Sequence, residues 1–285
     1  TDKNLRTIKM IMNSTTRTLV FYLTVAAASF VLSPAVAYSQ EMLARSSDKE
    51  VKSLVKALTT AERKFEKALD SKFKRSILRG PGVEVKVGDY LEDLSDATTN
   101  LEKRFTGSYA ASAEATEVLQ RSSLMHGYVR KNPSLKGANE WDSVAVLLQQ
   151  LATAYGSTFP LPDDAAIRRI GDAELADAAS ELRKFSRSFQ KTLRSSTRKI
   201  PDLSEPVKAG VDDLKFIESS SRTLASRIQS GKPASAEARQ LMEAVTRVQA
   251  LIDMEAMPEQ ATAEWAAAAR PITKITQSFG LEPSG

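Results

Sequence analysis

The chain has 285 residues, of which 42% are hydrophobic and 26% are charged, and its formal net charge at pH 7 is +5. This composition is typical of a globular protein with one or two domains. Because the chain has no cysteine, thiol catalysis, cysteine-ligated zinc, iron–sulfur clusters and a lipidated N-terminal cysteine are excluded.

Residues 1–37 have the three parts of a secretory signal peptide. Arg17 precedes an apolar run at residues 19–32, and Ala35-Val36-Ala37 supplies the small residues that a signal peptidase recognises. We therefore expect export to the periplasm or cell envelope, with cleavage after Ala37. The alternative is an uncleaved membrane anchor, because residues 18–37 have about the length that crosses a bilayer.

Removal of this segment changes the charge of the chain. Residues 1–37 carry four cationic side chains and one acidic side chain, so the remainder has 36 cations and 34 acids. A net charge of +2 gives little electrostatic attraction for a polyanion. We therefore expect no nucleic-acid partner.

Beyond a linker at residues 38–47, apolar residues recur at helical steps of three and four. Ser47 and Glu50 have the spacing of a capping box in front of the first predicted helix. The predicted helices of the first half cover residues 48–78, 85–105, 111–130 and 140–155. Residues 157–170 are predicted to be a second linker, because Gly and Pro interrupt the helical pattern there.

The helical pattern then begins again. The stripe that contains Val51, Leu58 and Phe65 returns 124 residues later, and Ala111-Ser112-Ala113-Glu114-Ala115 returns 123 residues later as Ala234-Ser235-Ala236-Glu237-Ala238. We therefore predict an all-α fold produced by tandem duplication of a four-helix unit, with two up-down bundles at residues 48–156 and 171–285. Pro271 lies inside the last predicted helix and should kink or split it.

Few residues point to a metal or cofactor. His126 is the single histidine, and with Met125 or Met42 it could ligate a haem, but Gln249 stands at the corresponding position of the second half. A second candidate is a set of carboxylates that could gather a hard cation, although they equally suit the first turns of a helix: Asp89, Glu92, Asp93 and Asp96. We expect neither a metal nor a cofactor.

Nucleophilic catalysis has little support. The pattern Ser-x-x-Lys begins at Ser53, Ser71 and Ser188, but the Lys-Thr-Gly and Ser-Asp-Asn motifs of penicillin-binding enzymes are missing. A single histidine also leaves little material for a catalytic triad. We therefore do not expect an enzyme.

Basic residues form the surface pattern that both halves share. They are either a solvated helix face or a contact surface for an unknown protein partner or an anionic membrane: Arg63, Lys67, Lys74 and Arg75, and in the second half Arg187, Lys191, Arg198 and Lys199. Trp141 and Trp265 also correspond to each other. They are either core anchors or parts of an apolar groove for a ligand or helix.

One stretch resembles a group of uncharacterised secreted bacterial helical proteins. The resemblance covers residues 124–155 and is carried by Tyr128-Val129-Arg130, Trp141, Leu148, Leu151-Ala152 and Ala154-Tyr155-Gly156. In architecture alone, the predicted bundles are similar to the four-helix extrinsic proteins that cap photosynthetic membrane complexes. The resemblance implies an exported helical fold and transfers no site. Together these patterns predict a non-enzymatic binding or structural protein of the bacterial envelope; the alternatives are an extrinsic subunit of a membrane complex and a carrier of a hydrophobic ligand.

Overall fold

The computed structural model describes residues 45–80, 82–162, 165, 167–254 and 256–281. The predicted signal peptide or anchor, and Met42, lie outside these residues. The first half contains α1 (Asp48–Ala68), α2 (Ser71–Lys74), β1 (Ile77–Gly80), β2 (Val83–Lys86), α3 (Val87–Arg104), α4 (Ser112–Arg130) and α5 (Ala138–Ala154). The second half contains α6 (Asp172–Thr197), α7 (Ser204–Gln229), α8 (Ser235–Ile252), α9 (Glu259–Trp265) and α10 (Ala269–Phe279), with short 3₁₀ turns at Pro201–Leu203 and Ala266–Ala268. The predicted all-α fold class is confirmed.

The two halves have the same order of helix packing. In the first half α1 packs against α3 and α5, and α4 packs against α3 and α5. In the second half α6 packs against α7 and the α9–α10 pair, and α8 packs against the same two neighbours. Each half therefore closes a ring of four helical segments around its own apolar cluster.

The predicted start of the first helix is correct, but its predicted end is wrong. The Ser47 hydroxyl accepts a hydrogen bond from the Glu50 backbone N–H, and the Glu50 carboxylate accepts one from the Ser47 N–H, which is the predicted capping box. Helix α1 ends at Ala68 instead of residue 78, because Leu69 is extended and the Asp70 carboxylate caps the separate short helix α2.

A β-hairpin follows α2, and its strands replace the predicted helix at residues 77–78 and 85–86. Strands β1 and β2 pair antiparallel, with Leu78 opposite Val85 and Gly80 opposite Val83. Leu78 is fully buried, and Gly82 has the positive φ of 69° that a tight turn requires. Alternating β-branched residues around this turn favour strand over helix.

The last predicted helix is split, as Pro271 led us to expect. The 3₁₀ turn Ala266–Ala268 separates α9 from α10, and Pro271 occupies the first turn of α10. Proline cannot donate the N–H that a continuous helix would bond to the carbonyl four residues earlier, whereas a first turn needs no such bond.

A reciprocal set of ion pairs joins the two helices that begin the halves. Arg45 donates to the Asp172 carboxylate, and Arg169, 124 residues after Arg45, donates to the Asp48 carboxylate at 2.8 Å. The backbone N–H of Asp48 donates to Asp172 Oδ2 and the N–H of Asp172 donates to Asp48 Oδ2, both at 2.8 Å. We call these four residues the clasp. Each carboxylate thereby satisfies a free N–H at the start of the other helix.

Candidate functional site

Trp265 lies at the floor of a cleft in the second half. Its side chain is 4% exposed and its ring packs against that of Phe189, with centroids 5.3 Å apart. Its indole N–H donates to Gln249 Oε1 at 2.6 Å, while Gln249 Nε2 donates to Asp253 Oδ1 at 2.7 Å. Because both ends of the Gln249 amide are bonded, its orientation and that of the indole are fixed.

The cleft itself lies between α8 and the α9–α10 pair and has a volume of about 300 Å³. This is the lower end of the usual range for small-ligand pockets. Apolar side chains supply most of its lining and three threonine hydroxyls add polar groups: Met242, Val245, Thr246, Gln249, Trp265, Ala266, Ala269, Ile272, Thr273 and Thr276.

The corresponding tryptophan of the first half makes an equivalent bond to a different residue. The Trp141 indole N–H donates to His126 Nδ1 at 3.2 Å, and Trp141 packs on Phe65 with centroids 4.9 Å apart. An indole N–H can only donate, so His126 Nδ1 must carry no proton. Burial and the nearby Arg130 guanidinium both lower the pKa of His126, which favours this neutral form.

In the first half, residues 159–161 lie over the surface that corresponds to the cleft of the second half. The Leu161 N–H donates to Ser123 Oγ at 2.8 Å, and the Phe159 N–H donates to Gln149 Oε1 at 3.2 Å. The Phe159 ring meets His126 edge-on, with centroids 5.3 Å apart. Residues 157–162 were predicted as a linker, but Leu161 is 6% exposed and belongs to the first apolar cluster. That part of the prediction is corrected: residues 159–161 are a covering strap, which we call the strap.

Side chains at the cleft of the second half are more exposed than their counterparts in the first half, as expected if the strap covers the latter. Leu148, in the same apolar cluster as Leu161, is fully buried, whereas Ile272, 124 residues later, is only half-buried. Ser123 is half-buried, whereas Thr246, 123 residues later, is exposed. The cleft of the second half therefore presents to solvent a surface that the first half covers with its own chain.

The predicted basic surface is continuous in the second half only. Arg187 and Lys191 are exposed on α6, with Arg198 and Lys199 directly after its end, and Arg187 pairs with Glu218 of α7 at 2.8 Å. In the first half the four residues do not share one helix, because Arg63 and Lys67 lie on α1 whereas Lys74 ends α2 and Arg75 follows it: this corrects the prediction of a single stripe. Lys74 pairs with Glu66 at 3.0 Å.

The other candidate ligands do not come together in the described residues. The four acidic residues Asp89, Glu92, Asp93 and Asp96 are exposed along α3, and Asp93 lies 3.5 Å from Arg121. Within the described ranges no group of three or more His, Asp or Glu side chains could hold a metal ion. Met125, the proposed haem partner of His126, is fully buried. None of the helices that the structure describes is both long enough and apolar enough to cross a membrane.

The sequence did not indicate that the carboxyl group of Glu62 is buried. Glu62 is 7% exposed on α1, where Thr98 Oγ1 donates to its Oε1 at 2.9 Å, and its Oε2 has no partner among the described residues. Burial raises the pKa of Glu62 to about 8. The residues at the corresponding positions of the second half are Ser186 and Ser221, which are both fully buried. The ionisable Glu62 of the first core, and Thr98 with it, thus have only serine hydroxyls as counterparts in the second.

No family model, curated protein or solved structure matches this chain. Of the two tryptophans that the sequence indicated, Trp265 lines a cleft of about 300 Å³, whereas the cavity that Trp141 lines has a volume of only about 10 Å³. Sequence reasoning missed the residues around the cleft, of which Thr246, Ile272 and Thr273 carry no motif and are recognised only by comparison with the strap-covered positions of the first half.

Proposed function

We propose that this protein is a non-enzymatic binding protein of the bacterial envelope, and that the cleft beside Trp265 is its binding site. The observation that carries the proposal is the contrast between the halves: the same surface is covered by the strap in the first and open in the second. Exposed apolar surface of this kind costs free energy in water, and a bound ligand removes that cost.

The proposal includes a tandem duplication, since the cleft is recognised by its correspondence with the first half. The offset of 123 or 124 residues in sequence, the shared order of helix packing and the clasp, whose residues are related by 124 positions, all support it. The two tryptophans, each bonded to a residue of the preceding helix, support it also.

Photocrosslinking from the cleft tests the proposed binding site. Because the chain has no cysteine, Thr246→Cys provides a single thiol at the cleft for a benzophenone label, and Ser188→Cys provides a matched control on the exposed surface of α6. In an envelope extract of the producing bacterium, the label at position 246 should form one saturable adduct that unlabelled protein competes away. Equal labelling patterns from both positions would contradict the assignment.

Export is proposed on the pattern of residues 1–37. Intact mass spectrometry of the protein from its native host should give an N-terminus directly after Ala37. A mature protein that retains residues 19–32 would instead make the segment an anchor.

A further inference from the structure

The strap shows what chemistry fills a cleft of this shape. Phe159 is half-buried, Pro160 is exposed and Leu161 is buried, so the two apolar side chains, and not the proline between them, enter the groove between α4 and α5. The Phe159–Pro160 peptide bond is cis. Two backbone N–H groups of the strap, those of Phe159 and Leu161, donate to side-chain oxygens of the flanking helices. The strap is therefore a proline-centred segment held by both apolar and backbone contacts.

The open cleft repeats the features that hold the strap. Ser123 Oγ donates to the carbonyl of Leu119 and accepts from Leu161; Thr246 Oγ1 makes the same donation, to the carbonyl of Met242, at 3.1 Å. A hydroxyl that already donates to its own helix retains lone pairs that can accept from an incoming N–H.

The second polar contact of the strap also has a counterpart. Thr273 stands 124 residues after Gln149, and its hydroxyl donates to the Ala269 carbonyl at 2.8 Å, which again leaves acceptor capacity. The floor is apolar in both places, with Ile272 at the position of Leu148.

The chain's own sequence does not supply a second strap at the same offset. The positions 124 residues after Phe159 and Leu161 are Pro283 and Gly285, which carry no aromatic or branched aliphatic side chain. At this offset the sequence therefore repeats the residues of the cleft but not the side chains that fill it in the first half.

We propose that the cleft beside Trp265 binds a segment of a partner protein in which large apolar side chains flank a proline, in the manner of Phe159-Pro160-Leu161. This inference rests on the proposed function and specifies its ligand. The partner's backbone N–H groups donate to Thr246 and Thr273, and its two apolar side chains lie over Trp265 and Ile272.

The test uses the two tryptophans as separate reporters. In the full chain labelled with ¹⁵N-tryptophan, each indole N–H gives its own resonance, and a Trp141→Phe variant assigns them. The probe is a synthetic peptide with the sequence of residues 157–162, Ser-Thr-Phe-Pro-Leu-Pro, blocked at both ends. Its addition should shift the Trp265 resonance in a saturable manner and leave the Trp141 resonance unchanged.

Three controls identify the contacts. A peptide with alanine in place of phenylalanine and leucine should bind at least about tenfold more weakly, since it lacks both side chains that enter the groove. Ala269→Phe fills the cleft and should abolish binding, whereas Ala209→Phe, at an exposed position of α7, should leave it unchanged. Thr246→Val keeps the shape of the side chain but removes the acceptor, and should weaken binding several-fold.

A second ligand, dodecanoate, distinguishes an error in the peptide inference from an error in the proposed binding site. If dodecanoate shifts the Trp265 resonance and the peptide does not, the cleft binds an apolar ligand but the peptide inference is wrong. If neither ligand shifts it, both are wrong. Peptide binding that persists in Ala269→Phe would place the peptide elsewhere and would also overturn the inference.

Discussion

Replacement of Glu62 by glutamine should change how the stability of the protein depends on pH. The carboxyl is buried beside Thr98, and its pKa is raised from 4.5 to about 8 in the folded protein, chiefly by desolvation. Between these values the folded state holds a proton that the unfolded state releases. The contribution of Glu62 is therefore fully present below pH 4.5 and is lost as the pH rises through 8.

The magnitude follows from the size of the shift. One pKa unit corresponds to about 1.4 kcal/mol. Ionisation of Glu62 in the unfolded state therefore lowers the free energy of unfolding at pH 7 by about 3 kcal/mol, compared with a neutral side chain at this position. Glu62→Gln removes that loss and leaves an unpaired amide N–H₂ at Oε2, so the gain should stay below about 3 kcal/mol. At pH 4 the variant should be no more stable than the wild type.

Urea denaturation at pH 4, 5.5, 7 and 8 measures the difference. The gap between Glu62→Gln and the wild type should widen steadily with pH, while the matched exchange Glu66→Gln, one turn further along α1 at an exposed position, controls for the substitution itself. A gap that is constant across this range would refute the argument, because it would mean that Glu62 does not hold a proton in the folded state.

Three further predictions concern other contacts. His126→Gln places in the first half the residue that bonds the indole in the second half, so the indole hydrogen bond should be kept. Because the pKa of His126 is lowered in the folded state, the wild type should lose stability as the pH falls below 6.5, and the variant should not. Urea denaturation at pH 5 and 8 measures this difference. Asp48→Ala leaves the buried Arg169 guanidinium without its carboxylate and should reduce the free energy of unfolding by about 3–5 kcal/mol, whereas an exchange of the two residues should recover part of that loss. Reversal of Lys191 and Arg198 to Glu should change the melting temperature little, because both are exposed, but should weaken binding to vesicles of anionic lipid at low salt; unchanged binding would make the basic surface a solvated face.

The sequence predicted the elements whose signals are local. The stripe through Val51, Leu58 and Phe65 and the capping box at Ser47 specify a helix and its start without reference to any other part of the chain. Likewise, the missing N–H of Pro271 was sufficient to predict the split of the last helix.

The sequence misled where apolar spacing continued through a change of structure. Leu69, Phe73 and Ile77 extend the four-residue rhythm of α1, although Leu69 is already extended and Ile77 begins a strand. Glycine at positions 80 and 82 and the alternating valines were the competing signal. Periodicity alone cannot choose between these two interpretations in so short a segment.

The candidate site was predicted only in part. Its tryptophan was recognised because Trp141 and Trp265 share an offset, but the strap was interpreted as a linker because prolines flank its apolar side chains. The clasp was missed because its partners are more than 120 residues apart in the chain, and no local pattern indicates such a contact. Both kinds of contact depend on how distant segments meet.

The accessibility of one thiol at two corresponding positions shows directly whether the second half keeps open the surface that the first half covers. The single-cysteine variants Thr246→Cys and Ser123→Cys place it in the open cleft and under the strap, in a chain with no other cysteine. With a small aromatic disulfide reagent under native conditions, the thiol at position 246 should react at least about tenfold faster, because a shielded thiol reacts only after local opening. Equal rates at the two positions, or a faster reaction at position 123, would contradict the claim that the second half keeps open the surface that the first half covers.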